Sequence, residues 1–112
     1  MADTKRIALN VRQPYAELIV SGKRRVEHRP RSTIKRERIY IFASGALPDA
    51  KACAKYGLDP DDCPRGVLIG TVEIVDCEPG PAGYAWRLAN PERLETPVRP
   101  TRVSQPVWFH PF

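Results

Sequence analysis

Apolar residues occur along this chain in short clusters set apart by prolines, glycines and charges, and most clusters have a readable period. Ile7-Ala8-Leu9-Asn10-Val11 alternates as a short strand does. Pro14 suits the first turn of a helix, and Gly22 is a left-handed stop for it. Between them Tyr15, Leu18 and Ile19 recur at three and four residues, giving one apolar stripe that faces a core. Residues 25–29 alternate again as a strand, which Pro30 ends. Residues 30–37 are basic and polar with one apolar member, Ile34, and predict an exposed loop.

Ile39-Tyr40-Ile41-Phe42-Ala43 is a strand by its β-branched and aromatic content. Pro48 can open a second helix, Asp49 favours the positive end of its dipole, and Gly57 closes it after Tyr56. Residues 67–77 form the longest strand candidate, with bends or bulges at Gly66 and Gly70. Residues 78–83 read as a turn or mobile loop, and residues 84–88 as a further strand. Prolines at 91, 97, 100 and 106 break the tail before Val107-Trp108-Phe109 returns as the last strand. The expected architecture is mainly β with flanking α: five or six strands closed into a small barrel, with two short helices.

A chain of 112 residues suits one domain over residues 1–112, and its 42% hydrophobic content excludes intrinsic disorder. The apolar runs are too short to span a bilayer, and no apolar segment follows the first six residues as a signal peptide requires. A soluble cytoplasmic monomer without membrane association is the expectation. Cys53, Cys63 and Cys77 lack metal-ligand spacing and His28 lies far from His110, so free thiols are expected, with no metal and no cofactor. The net charge of +5 is unevenly placed. Residues 5–38 carry eleven Lys or Arg against three Glu, a net +8, whereas residues 39–112 carry seven basic and nine acidic side chains, a net −2. Such polarity fits an anionic partner, most often nucleic acid; a solvated face is the plainer explanation.

The stretch Gly22-Lys23-Arg24-Arg25-Val26-Glu27-His28-Arg29 resembles the signature G-x-K-x-x-E-x-R of the ASCH domain family, within the PUA-like superfamily. Gly22, Glu27 and Arg29 match it, and Arg24 stands where the family usually has Lys. Four further segments resemble the family in order: residues 9–16, with Gln13-Pro14-Tyr15-Ala16; residues 39–44; residues 66–77; and Tyr84-Ala85-Trp86 followed by Asn90-Pro91. The resemblance implies a β-barrel with flanking helices and a cleft lined by the signature. It also implies binding of RNA, another nucleic acid or a nucleotide, with ribonuclease and acetylcytidine amidohydrolase activities among its members.

Strand alternation places Glu27 and Arg29 on one face and Val26 and His28 on the other. The Glu27 carboxylate and the guanidiniums of Arg24 and Arg29 could form a structural ion pair, or offer acceptors and fork-shaped donors to a base edge or phosphate. Arg12, Arg31, Lys35 and Arg36 add positive charge for a phosphate-binding rim. Gln13 can read an amide or base edge, and Tyr15 can stack on a base or join the core stripe. Gly22 would turn the chain so that Arg24 and Glu27 approach the first helix. Trp86, Trp108 and Phe109 are expected in the core, with His28 and His110 at the surface.

A binding module is the favoured function, with catalysis uncertain. A metal-free ribonuclease or a hydrolase of a modified nucleoside is the alternative, with Arg24, Glu27 and Arg29 as the candidate catalytic groups. The resemblance to the amidohydrolase group fails at two places, because that chemistry uses Lys and Thr where this chain has Arg24 and Glu27. Arg24 cannot be deprotonated to act as nucleophile or base. Glu73 and Asp76 are the nearest downstream acids in type. A protein-interaction domain is a third class.

Overall fold

The computed structural model describes residues 3–112, so the expectation for the first six residues falls partly outside it, at Met1 and Ala2. In order along the chain come β1 (Ala8–Val11), α1 (Tyr15–Val20), β2 (Val26–Arg29), β3 (Arg38–Ala43), α2 (Ala50–Tyr56), β4 (Val67–Gly80), β5 (Gly83–Val98) and β6 (Trp108–Phe109). A single 3₁₀ turn, Pro60–Asp62, lies between α2 and β4. No helix among the described residues is long and apolar enough to cross a membrane.

Both helices are short and bounded as their sequences dictate. Pro14 is the N-cap of α1, one residue earlier than a first-turn position, and the Gln13–Pro14 peptide bond is cis. Past the other end, Gly22 adopts φ 82°, which a residue with a Cβ reaches only with strain. That turn lets Gly22 N–H donate to Ile19 O and Arg24 N–H to Leu18 O. Asp49 caps α2 by accepting from Ala52 N–H at 3.1 Å, Pro48 precedes the cap, and Gly57 ends the helix in the left-handed region.

The strands form one six-stranded sheet in the order β2-β5-β4-β3-β1-β6. Among the described residues only the β1–β3 pair is parallel; the four other pairs are antiparallel. The barrel expected from sequence does not close by hydrogen-bonded pairing, since β2 and β6 are the sheet's two edges. β6 has only two residues and pairs with β1 alone, so no ladder is available to β2 across the seam. Side chains bridge it instead. Trp86 of β5 stacks on Trp108 of β6 at 5.7 Å between ring centroids and 9° between planes.

Two local expectations need correction. β4 runs through residues 78–80, and Pro81-Ala82 make a two-residue turn into β5, so the proposed loop is a tight hairpin. β5 continues past residue 88 to Val98, with Pro91 and Pro97 inside it. These prolines are tolerated where the β4–β5 register is irregular: Pro97 lies between the pairs Leu68–Val98 and Gly70–Arg93, and Pro91 between the pairs Thr71–Glu92 and Glu73–Ala89.

β3 explains the main core. Ile39, Ile41 and Ala43 point into a cluster with Leu9, Val11, Ile19, Val72 and Trp86, whereas Tyr40 and Phe42 point the other way, against Ala8, Leu68 and Phe109. A strand buried on both faces reads as an unbroken apolar run. α1 covers the first cluster with Ala16, Ile19 and Val20. Gly70 permits its close approach. A Cβ at residue 70 would lie 2.5 Å from the Glu92 carbonyl oxygen and 2.7 Å from a Val20 methyl.

Candidate nucleic-acid interface

The left-handed turn at Gly22 directs the chain from α1 into β2, and β2 alternation buries Glu27 while leaving His28 exposed. Glu27 is 5% exposed and is held from two sides. Its Oε1 accepts from Arg24 Nη2 at 3.3 Å, and its Oε2 accepts from Arg29 Nε at 3.1 Å and Nη2 at 3.0 Å. Arg29 Nη2 also donates to the Asn10 carbonyl at 3.0 Å. The three signature side chains therefore form one charge-assisted assembly around a buried carboxylate, with both guanidiniums half-buried.

A cleft of about 470 Å³ opens beside this assembly. Arg24, Glu27, His28 and Arg29 supply one wall; Val11, Arg12 and Tyr15 supply another; Lys55 and Tyr56, at the end of α2, complete it. Four cations face one carboxylate, so the cleft has an excess of positive charge. The Arg24 guanidinium lies over the Tyr15 ring, 5.0 Å from its centroid, and its buried Nε has no hydrogen-bond partner among the described residues. Burial raises the Tyr15 phenol pKa, the Asp49 carboxylate 3.4 Å from its oxygen adds to this, and Arg24 opposes both. Asp49 itself is held below the usual carboxylate range by the Ala52 N–H, with help from Arg12.

Gln13 does not belong to this surface. It is 0% exposed; its Nε2 donates to Pro64 O at 2.8 Å and its Oε1 accepts from Glu17 N–H at 2.9 Å. Its carbonyl accepts from Asp49 N–H, so this one residue fastens the start of α1 to α2 and to the loop before β4. Both ends of the amide are spent, which leaves nothing to read a base. Arg31, Lys35 and Arg36 are also absent from the cleft walls. They sit in the β2–β3 loop, which covers the tryptophan seam: Trp86 Nε1 donates to Arg31 O at 3.0 Å, and Lys35 Nζ lies 5.3 Å from the Trp108 ring centroid. Lys35 also meets Glu37 at 3.5 Å, and Arg36 Nη1 donates to the Thr33 and Lys35 carbonyls.

Lys55 and Tyr56 were missed from sequence. They lie 26 or more residues from the signature, and only the docking of α2 brings them to it. The signal available was their position in the last turn of a capped helix, with Tyr56 before the stop at Gly57. Trp86 is 2% exposed and belongs to the core, as expected. Cys53 and Cys63 are buried free thiols, and burial raises the pKa of Cys63. Among the described residues no group of three or more His, Cys, Asp or Glu is placed to hold a metal ion.

A curled mixed sheet with two short helices and a cationic cleft beside β2 defines a small α+β domain of PUA-like type. The chain belongs to the ASCH domain family, whose model matches residues 9–97. All five segments of the sequence resemblance fall inside that stretch. The chain is 36% identical over 80 residues to Activating signal cointegrator 1 of Mus musculus, and equally to that of Homo sapiens. Each alignment covers 62% of this chain and 14% of the relative, so the chain spans a small part of the length of those proteins. Among solved structures, the ASCH protein of Zymomonas mobilis superposes with a TM-score of 0.59 at 18% identity, covering 87% of this chain and 75% of that one. Its S128A mutant gives 0.58 at 17%, covering 88% and 77%. At such identity the likeness concerns the fold.

Proposed function

We propose that the cleft binds RNA, or a nucleotide portion of it, and that the protein works as a binding module. The observation that carries this reading is the grouping of Arg12, Arg24 and Lys55 with the rings of Tyr15 and Tyr56 around one opening. Cations of that kind neutralise phosphates, and phenol rings offer sequence-tolerant stacking for bases. Glu27 serves as an anchor: it fixes the guanidiniums of Arg24 and Arg29, so their remaining donors are presented without a large ordering cost.

The hydrolase alternative draws no support from this geometry. A ribonuclease base must accept a proton from a ribose hydroxyl, and both Glu27 oxygens already accept from guanidinium groups. The test is titration of a fluorescent oligoribonucleotide at low salt, followed by electrophoresis of the bound RNA. Binding without fragments, weakened about tenfold or more in Arg24→Ala, is the expected result. Absence of binding at low salt, or wild-type affinity in Arg24→Ala, refutes the reading; RNA fragments that vanish in Glu27→Gln establish the hydrolase.

A further inference from the structure

On its α2 side the cleft adjoins a hollow of about 250 Å³, lined by Tyr15, Asp49, Lys51, Ala52, Lys55 and Tyr56. Tyr15, Lys55 and Tyr56 line the cleft as well, so the two spaces meet along a border of three residues. That border is no buried partition, because Lys55 and Tyr56 are exposed. A chain lying in the cleft can pass over it onto the face of α2.

Positive charge continues in the same direction. Lys51 and Lys55 are four residues apart on α2, which sets them on one face about 6 Å apart along the helix axis. Among the described residues neither ammonium group is in an ion pair. Lys55 Nζ lies 5.3 Å from the Tyr56 ring centroid, at the border itself. Asp49 is the one carboxylate of the hollow and is already engaged: Oδ1 accepts from Ala52 N–H at 3.1 Å and Oδ2 from the Tyr15 hydroxyl at 3.4 Å. The cations thus run from Arg24 and Arg12 in the cleft, across Lys55, to Lys51 outside it. Towards the β4–β5 hairpin the charge stops, since the hollow between His28 and Tyr84 has no Lys or Arg in its wall.

We propose that the ligand is a polynucleotide and not a free nucleotide, and that its backbone leaves the cleft over α2, with one phosphate at Lys55 and the next at Lys51. This rests on the reading that the cleft binds nucleic acid, and it adds the length of the ligand and the direction in which it runs. A mononucleotide held in the cleft gains nothing from Lys51, whereas a chain adds a phosphate contact there.

The experiment measures uridine monophosphate and the uridine hexanucleotide by competition against a labelled oligoribonucleotide at low salt. Lys51→Glu should weaken the hexanucleotide about tenfold and leave the monophosphate unchanged, and Lys51→Ala should lower the log-affinity against log-salt slope of the hexanucleotide by about 1. Lys51 is exposed and has no ion pair to lose, so both variants should fold as wild type, which thermal unfolding checks. Ala82→Glu puts the same new anion on the exposed hairpin turn at the opposite side and should change hexanucleotide affinity less than about twofold. Arg24→Ala should weaken both ligands. Wild-type hexanucleotide affinity in Lys51→Glu, an equal loss for the monophosphate, an equal loss in Ala82→Glu, or a hexanucleotide no tighter than the monophosphate would each overturn the α2 path. Binding that still depends on Arg24 would then leave the cleft reading standing. No binding of either ligand overturns both.

Discussion

Arg29 Nη2 donates to the backbone carbonyl of Asn10 at 3.0 Å, while the same guanidinium grips Glu27 Oε2. β2 and β1 share no ladder, so this one side chain links the anchor carboxylate of the cleft to the strand across the open seam. The seam and the cleft are thereby mechanically one unit. The signature arginine has a scaffolding role and a site role that mutation can separate only in part.

Removing Arg29 should cost stability through Glu27. In Arg29→Ala the buried carboxylate loses both donors to its Oε2 and keeps only Arg24, which should cost about 3 kcal/mol, the low end for breaking a buried pair. Arg29→Lys should lie between, because an ammonium cannot serve Glu27 and Asn10 with the same fork. Adding Glu27→Gln to Arg29→Ala should recover part of the loss, as read from denaturant midpoints. Strictly additive losses in this double-mutant cycle would show that the two groups are not coupled.

Gly70→Ala should be worse than Gly22→Ala. At residue 22 the cost is mainly the left-handed backbone, about 1 kcal/mol, with the nearest atom of Pro91 at 3.4 Å from the new methyl. At residue 70 the methyl meets a backbone carbonyl and Val20, so α1 must lift from the sheet, costing about 3 kcal/mol or more. Equal thermal unfolding of the two variants would contradict the packing argument.

Salt dependence should distinguish cleft cations from loop cations. The double variant Arg12→Ala with Lys55→Ala should reduce the log-affinity against log-salt slope by about 2, one for each phosphate contact. Lys35→Ala with Arg36→Ala should reduce it less, because those side chains are engaged by Glu37, Trp108 and loop carbonyls. Equal slopes for the two pairs would mean that the β2–β3 loop also carries phosphates.

Asp49 should leave a signature at acid pH. Its folded pKa is depressed, first by the Ala52 N–H, so its charge stabilises the fold above the ordinary carboxylate value and ceases to do so as pH falls through the folded value. Asp49→Asn preserves a capping oxygen and removes the charge. The stability gap between wild type and variant should be constant near neutrality and narrow below about pH 4. A gap that does not change with pH would assign the effect to geometry alone.

The sequence by itself determined the pieces that depend on neighbours along the chain. Gly22 and Gly57 mark helix ends because only a residue without a Cβ enters the left-handed region freely. Strand alternation placed Glu27 and Arg29 together, and the unbroken apolar run of β3 marked a strand destined for burial. The collinear motifs indicated the family. What only the tertiary structure decided are the relations between distant segments. Gln13 looks like a reader of bases until α2 and Pro64 close over both ends of its amide. Lys35 and Arg36 count as rim charges until the loop lays Lys35 over Trp108 and turns the Arg36 guanidinium back onto the Thr33 and Lys35 carbonyls. Lys55 and Tyr56 carry no motif, yet the docking of α2 makes them a cleft wall. Pro91 and Pro97 look like breakers because local propensity omits the bulges that β5 makes against β4 at those two places. Barrel closure, too, was beyond local reading: it depends on whether two edge strands are long enough to pair, and β6 is too short to do so.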